Sequence, residues 1–247
     1  MKIFLPFLTF LSIGILLNAK DQKKQKPNIL WIVTEDIGCD MASYGTKGVH
    51  TPHMDQLAAE GTVYTRAYTT ASVCSPSRSS FMTGLYPHQV FSKNMRIRKP
   101  LKKKALPKGV DIFTRYLRDA GYKIGFPGHG KKDWGFIDPK RNPYDTTDWD
   151  KLTEQQPFFC QYQFYDTHRV NKNINGKFFL FLPCPEHPVS RAEIDLHPYT
   201  PETPEAREEL GAYLENINLL DINIGTLIAD LKANGLYEKT IIVVMGD

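Results

Sequence analysis

The sequence predicts an α/β fold with a mostly parallel central sheet and helices on both faces, and three observations carry that prediction. Asn28 to Thr34 is an apolar run of the length expected for a strand buried on both faces, and Thr240 to Met245 is a second such run. Helical patterns lie between them, the first opened by Thr51-Pro52 and closed by Gly61, so strand and helix alternate as in a βαβ crossover. At 247 residues and 41% hydrophobic content the chain can bury a sizeable core.

Residues 1–19 read as a signal peptide, with Lys2 as the basic start, Ile3 to Leu17 as the apolar run and Ala19 as the cleavage point. A membrane anchor is the competing reading, but the run is short for a span and contains Thr9, Ser12 and Gly14. Export is therefore expected, to the periplasm or the medium, with no stable membrane span. Residues 20–247 are expected to form one domain, since no linker separates two folded units.

After the polar stretch Lys20 to Lys26 the first strand ends in Glu35 and Asp36, and open α/β sheets gather ligands beyond the carboxyl ends of their strands. Met54, Leu57 and Ala58 supply the apolar face of the first helix, and Val63 to Thr70 reads as extended. A helix over Ser75 to Thr83, stopped by Gly84, places Cys74 and Arg78 on one face. Free backbone N–H groups at its start and the guanidinium one turn later make an anion site.

A helix from Asp111 to Ala120, capped by Gly121, is followed by a strand from Tyr122 to Phe126 and a glycine-rich turn carrying His129, Lys131, Lys132 and Asp133. Pro157 to Tyr165 alternates aromatic and polar residues as a strand does, with His168 just beyond its end. Asn171 to Tyr199 reads as a loop shaping the mouth of the site. Thr203-Pro204 opens a long helix to about Ala233, with Leu210, Leu214, Ile217, Leu220, Ile224, Leu227 and Leu231 on one stripe. After Gly235 the last strand delivers Asp247 to the same sheet edge as Glu35 and Asp36.

Between Ser92 and Val110 lie eight Lys and Arg residues and no acid, so the rest of the chain is net negative although the whole is +4. Such a patch attracts a polyanion such as a sulfated polysaccharide, or is a solvated loop. Nucleic acid is not expected, because no recognisable binding fold accompanies the charge. Of the cysteines Cys39, Cys74, Cys160 and Cys184, a pair of Cys160 with Cys184 is conceivable and the sequence does not decide it.

Cys74-Ser75-Pro76-Ser77-Arg78, continuing through Ser79 to Gly84, resembles the C-x-P-x-R signature of the sulfatase family, whose cysteine is oxidised to formylglycine. Pro27 to Asp36 and Thr240 to Asp247 are in register with the same family. The resemblance implies an alkaline-phosphatase-like fold, a formylglycine-generating maturation enzyme as partner, and hydrolysis of a sulfate ester or N-sulfate. The substrate would be a sulfated small molecule or polysaccharide.

It also implies calcium, with magnesium possible, held by Glu35, Asp36, Asp247 and the converted Cys74. Clustered carboxylates independently favour these hard cations over zinc. Glu35 stands where the family commonly has aspartate. Arg78 and Lys131 would meet the sulfuryl group, with Lys132 or His129 as alternatives if the register slips, and Asp133 replaces the histidine usual after the lysine. His168 matches an active-site histidine, in a run similar to the sulfamidase branch. The family continues beyond this point, so the chain is expected to be truncated at the C-terminus and inactive as it stands. Two rival readings are a phosphonate or phosphate-ester hydrolase using the same nucleophile, and a non-enzymatic binder of sulfated glycans.

Overall fold

The structure is a computed structural model describing residues 25–97, 101–128, 130–137, 142–174, 177–181, 183–184 and 186–247. The signal peptide reading therefore lies outside the described residues, as does His129. The elements run β1 (Asn28–Thr34), α1 (Pro52–Glu60), α2 (Cys74–Thr83), α3 (Phe113–Asp119), β2 (Lys123–Gly125), α4 (Trp149–Thr153), β3 (Phe158–Phe164), β4 (Lys172–Ile174), β5 (Lys177–Phe179), α5 (Pro204–Ala233) and β6 (Thr240–Gly246).

The sheet has the order β2-β3-β1-β6 and every pair in it is parallel. Because side chains alternate along a strand, β1 builds two cores at once. Leu30 and Ile32 join Met54 of α1 and Leu214, Ile217, Leu220 and Ile224 of α5 on one face. Ile29 and Trp31 pack on the other face with Met82 of α2, Ile124 and Phe159. Trp31 meets Phe81 at 4.9 Å and Phe113 at 5.4 Å between ring centroids, both edge-on, and so seats α2 and α3 on the sheet.

Several local expectations give way to tertiary contacts. Thr51 does not cap α1 with its side chain. Its hydroxyl donates to Asp55 and accepts from the Ala42 N–H, while Asp221 of α5 accepts from the His53 and Met54 N–H groups at 3.1 and 2.8 Å. Thr203 does cap α5, accepting from the Ala206 N–H at 3.1 Å. Residues 63–70 form no strand and leave Tyr64 and Tyr68 exposed, and the helix expected from Asp111 begins at Phe113. The expected loop after Asn171 contains the antiparallel hairpin β4–β5, and α4 is an element with no clear sequence pattern.

Strand β6 is not buried on both faces. It lies at the sheet edge, where Ile241 and Val243 are 50% and 41% exposed while Ile242 and Val244 pack inward. All four cysteines are free; Cys160 is buried within the sheet, so its conceivable pairing with Cys184 does not form. Among the described residues no helix is long and apolar enough to cross a membrane.

Candidate active site

The carboxyl edge of the sheet assembles the site. Glu35 prolongs the β1–β3 ladder, its N–H donating to the Phe164 carbonyl at 3.2 Å, and the Asp247 N–H donates to the Thr34 carbonyl at 3.2 Å. Adjacent residues of a strand point to opposite faces, so Glu35 and Asp36 need a break in the extended chain to serve one site. Asp36 provides it with a left-handed backbone, φ 46, a conformation that aspartate tolerates better than most residues. Its N–H then donates to Asp247 Oδ1 at 3.3 Å.

Opposite this edge, α2 begins at Cys74 and is stopped by Gly84, whose φ of 70 suits glycine. One ligand atom from each of Glu35, Asp36, Cys74 and Asp247 lies within 4.8 Å of the others, and the same holds for Glu35, Cys74 and His168. Cys74 Sγ is 4.0 Å from Asp36 Oδ1. This donor set fits a hard divalent cation, since it offers three carboxylates from two neighbouring strand ends.

Arg78 is fully buried beneath them. Its Nη2 lies 2.6 Å from Glu35 Oε1 and 2.8 Å from Asp247 Oδ2, and its Nη1 donates to Gln163 Oε1 at 3.0 Å. Lys131 reaches Glu35 Oε2 with Nζ at 2.7 Å, whereas Lys132 lies over the Tyr144 ring at 5.5 Å. Of these two lysines only Lys131 is placed against the acids. Asp133, 3.8 Å from Lys131 Nζ, binds Arg96 Nε through both oxygens at 3.1 and 3.3 Å. The basic stretch is thus partly structural: Arg96 is tied to Asp133 and Lys103 Nζ donates to the Trp134 carbonyl at 2.7 Å.

His168 Nδ1 is 2.8 Å from the Arg169 carbonyl, which can only accept, so Nδ1 carries the proton and Nε2 is the other ring atom available for exchange. Burial pushes the Glu35 carboxyl up, against the pull of Arg78 and with Asp247 adding to the rise. Burial likewise raises the Cys74 thiol although Lys131 opposes it, so the unconverted side chain is held as a thiol rather than a thiolate. A cavity of about 700 Å³ opens beside the acids, lined in part by Asp36, Arg169, Phe181, His197, Tyr213 and Asp247.

Gln163 and Thr167 also hold the site, and neither belongs to a motif. Gln163 Nε2 donates to Glu35 Oε1, and Thr167 Oγ1 donates to the Glu35 carbonyl. For Gln163 the available signal was a polar residue inside a strand destined for burial; Thr167 lies in the turn beyond β3 and offered none.

The family model described as Sulfatase matches residues 27–247. The chain is 29% identical over 263 residues to an ulvan-active sulfatase of Formosa agariphila, covering 90% of this chain and 44% of that protein. It is 24% identical over 251 residues to the N-sulphoglucosamine sulphohydrolase of Homo sapiens, covering 89% of this chain and 50% of that one. Among solved structures a 2-O GAG sulfatase superposes with a TM-score of 0.63 at 19% identity, covering 90% of this chain and 58% of its own. The chain therefore spans about half the length of these curated relatives.

Proposed function

Because the chain belongs to the sulfatase family, we propose that it is the catalytic portion of an exported enzyme that hydrolyses a sulfate ester or N-sulfate of a carbohydrate. The observation that carries this reading is the placement of Cys74 at the start of α2, within 4.8 Å of carboxylate atoms of Glu35, Asp36 and Asp247, with Arg78 one turn further on. Names of relatives point to sulfated glycans as substrates of those proteins, and the same chemical class is proposed here. Export rests on the signal-peptide pattern of residues 1–19.

Cys74 is proposed to be oxidised to formylglycine by a maturation enzyme. Once hydrated, the converted side chain would supply a hydroxyl for attack on sulfur and a second hydroxyl whose proton is given up as the carbon–oxygen bond to sulfate breaks and the aldehyde re-forms. Calcium held by Glu35, Asp36, Asp247 and the converted residue would supply Lewis-acid stabilisation of sulfuryl oxygens.

The chain's own residues do the rest. Arg78 and Lys131 place two fixed positive charges beside the acids, where negative charge develops on the sulfuryl oxygens. In the buried setting of Arg78 these charges act with little screening. His168, with Nδ1–H held by the Arg169 carbonyl, can carry a second proton on Nε2 and deliver it to the departing oxygen or nitrogen.

The test co-expresses the full-length protein with the maturation enzyme, examines the Cys74 peptide by mass spectrometry, and compares turnover of aryl sulfate and aryl phosphate with calcium. Conversion with preferential sulfate turnover, abolished by Cys74→Ala, is the expected result. Preference for phosphate would favour the phosphoester reading. A chain that keeps only thiol at Cys74 in a competent host, yet binds sulfated glycan undiminished after Cys74→Ala, would favour the binder.

A further inference from the structure

We propose that Gln163 is a positioning residue that fixes Arg78, Lys131 and Glu35 relative to one another. Its effect on turnover rests on the sulfatase reading, whereas the placement does not. Strand β3 turns Phe159, Gln161 and Gln163 to the face covered by α2 and α3, and the glutamines are only 1% and 5% exposed. A buried amide is unfavourable unless both its ends are hydrogen-bonded. Gln161 is held by the Tyr144 hydroxyl, which donates to its Oε1 at 2.9 Å.

Gln163 is bonded differently, entirely into the site. Its Oε1 accepts from Arg78 Nη1 and from the Lys131 backbone N–H, each at 3.0 Å, and its Nε2 donates to Glu35 Oε1. The amide orientation follows from its partners. Reversing it would set the NH₂ against two donors and the oxygen against a carboxylate. With Gln163 on Nη1 and Glu35 and Asp247 on Nη2, the guanidinium is gripped on both arms and its plane is fixed. The bond to the Lys131 N–H pins the backbone from which the lysine side chain reaches Glu35 Oε2.

Neither leucine nor glutamate meets all three demands. Leucine would leave the Arg78 and Lys131 donors and the Glu35 acceptor each without this partner. Glutamate would keep both acceptor contacts but present a second carboxylate to Glu35. The two substitutions therefore disturb different parts of the same arrangement.

Crystal structures of wild type, Gln163→Leu and Gln163→Glu test the placement directly. In Gln163→Leu the Arg78 guanidinium and the Lys131 backbone are expected to leave their wild-type positions; in Gln163→Glu they should stay while the Glu35 carboxylate moves away. All three groups unmoved in both variants would overturn the proposal. In converted full-length protein that retains its thermal unfolding midpoint, aryl sulfate kcat is expected to fall about 10- to 100-fold with a smaller change in KM. A kcat kept at the wild-type level would equally overturn it. Should Gln163→Leu fail to fold, Gln163→Glu still decides, because it preserves the bonds to Arg78 and Lys131. Wild type without turnover would count against the sulfatase reading alone, and the crystal comparison would still judge the positioning.

Discussion

Arg78 Nη2 lies 2.8 Å from Asp247 Oδ2, an ion pair with side chains 1% exposed on each partner, joining the helix that starts at Cys74 to the end of the last strand. Glu35 shares the same nitrogen at 2.6 Å. Removing the guanidinium would leave two carboxylates facing each other without water to separate them.

Arg78→Ala is accordingly expected to destabilise the chain by about 3–5 kcal/mol, the usual effect of stripping one partner from a buried pair. Urea unfolding measures it. Arg78→Lys should recover part of the loss, since an ammonium keeps the charge but cannot span Glu35 and Gln163 together. A loss below about 1 kcal/mol for the alanine variant would mean that the acids relax into water, in the manner of a surface pair.

Asp221 should prove the N-terminal anchor of α1. It accepts from the His53 and Met54 N–H groups while remaining fully buried. Asp221→Ala is expected to reduce stability by about 2 kcal/mol, and Asp221→Asn, which keeps one acceptor, by roughly half of that. Thr51→Val should do less, as its hydroxyl bonds Asp55 and the Ala42 N–H rather than the helix start. Denaturant midpoints for the three variants provide the ranking, and an equal loss for Thr51→Val would contradict it.

These two cases show what the sequence could reveal. Local patterns carried β1 over Asn28–Thr34, the stop of α2 at Gly84 and the cap of α5 at Thr203, because each depends on neighbours in the chain. The gathering of Glu35, Asp36 and Asp247 was also legible, since parallel strands bring their carboxyl ends to one edge. Asp221 and Gln163 were not, because their partners lie on other elements and periodicity says nothing of such pairing. The exposure of Ile241 and Val243 escaped for a related reason: an apolar run does not disclose whether its strand is central or at an edge.

A pH dependence should be traceable to Asp145. Burial resists its ionisation, but the Ile124 N–H at 3.0 Å and the Arg118 guanidinium at 2.8 Å outweigh that and lower its pKa. A lowered folded value means that ionisation favours the native state above the ordinary aspartate value of about 3.9, and that the gain is lost as pH falls through the folded value. Asp145→Asn should therefore be less stable than wild type near neutrality, with the gap narrowing below about pH 4. A gap that is constant with pH in paired urea titrations would assign the effect to lost hydrogen bonds alone.

Calcium binding should depend on Asp36. Its backbone is committed to the left-handed conformation, its Oδ1 lies 4.0 Å from Cys74 Sγ, and its carboxylate is one of the four clustered donors. Asp36→Asn removes a charge and weakens an oxygen donor without emptying space. Calorimetry should show binding to wild type and a marked loss in the variant. Matching isotherms would place the cation elsewhere or exclude Asp36 from its shell.

The last expectation concerns Asp133, an acid beside a proposed anion site. Its carboxylate lies 3.8 Å from Lys131 Nζ and holds Arg96 by Nε, so it draws on the positive charge that would otherwise face the sulfuryl group. Lys131 is thereby shared between Glu35 at 2.7 Å and Asp133 further away. Asp133→Asn removes the competing negative charge while leaving an amide oxygen that can still accept from Arg96 Nε. Repulsion between Asp133 and a bound anion then disappears, and at the effective dielectric of a partly buried site one such contact is worth about 1 kcal/mol or more. In the full-length converted protein, inorganic sulfate should inhibit Asp133→Asn several-fold more strongly than wild type, with the larger difference at low salt. Stability should change little, because the Arg96 side chain is 39% exposed and such pairs contribute roughly 0–1 kcal/mol. Weaker inhibition in the variant would reverse the reading: Asp133 would then be needed to hold Arg96 or Lys131 in place for the anion, and its charge would act through those cations rather than against the ligand.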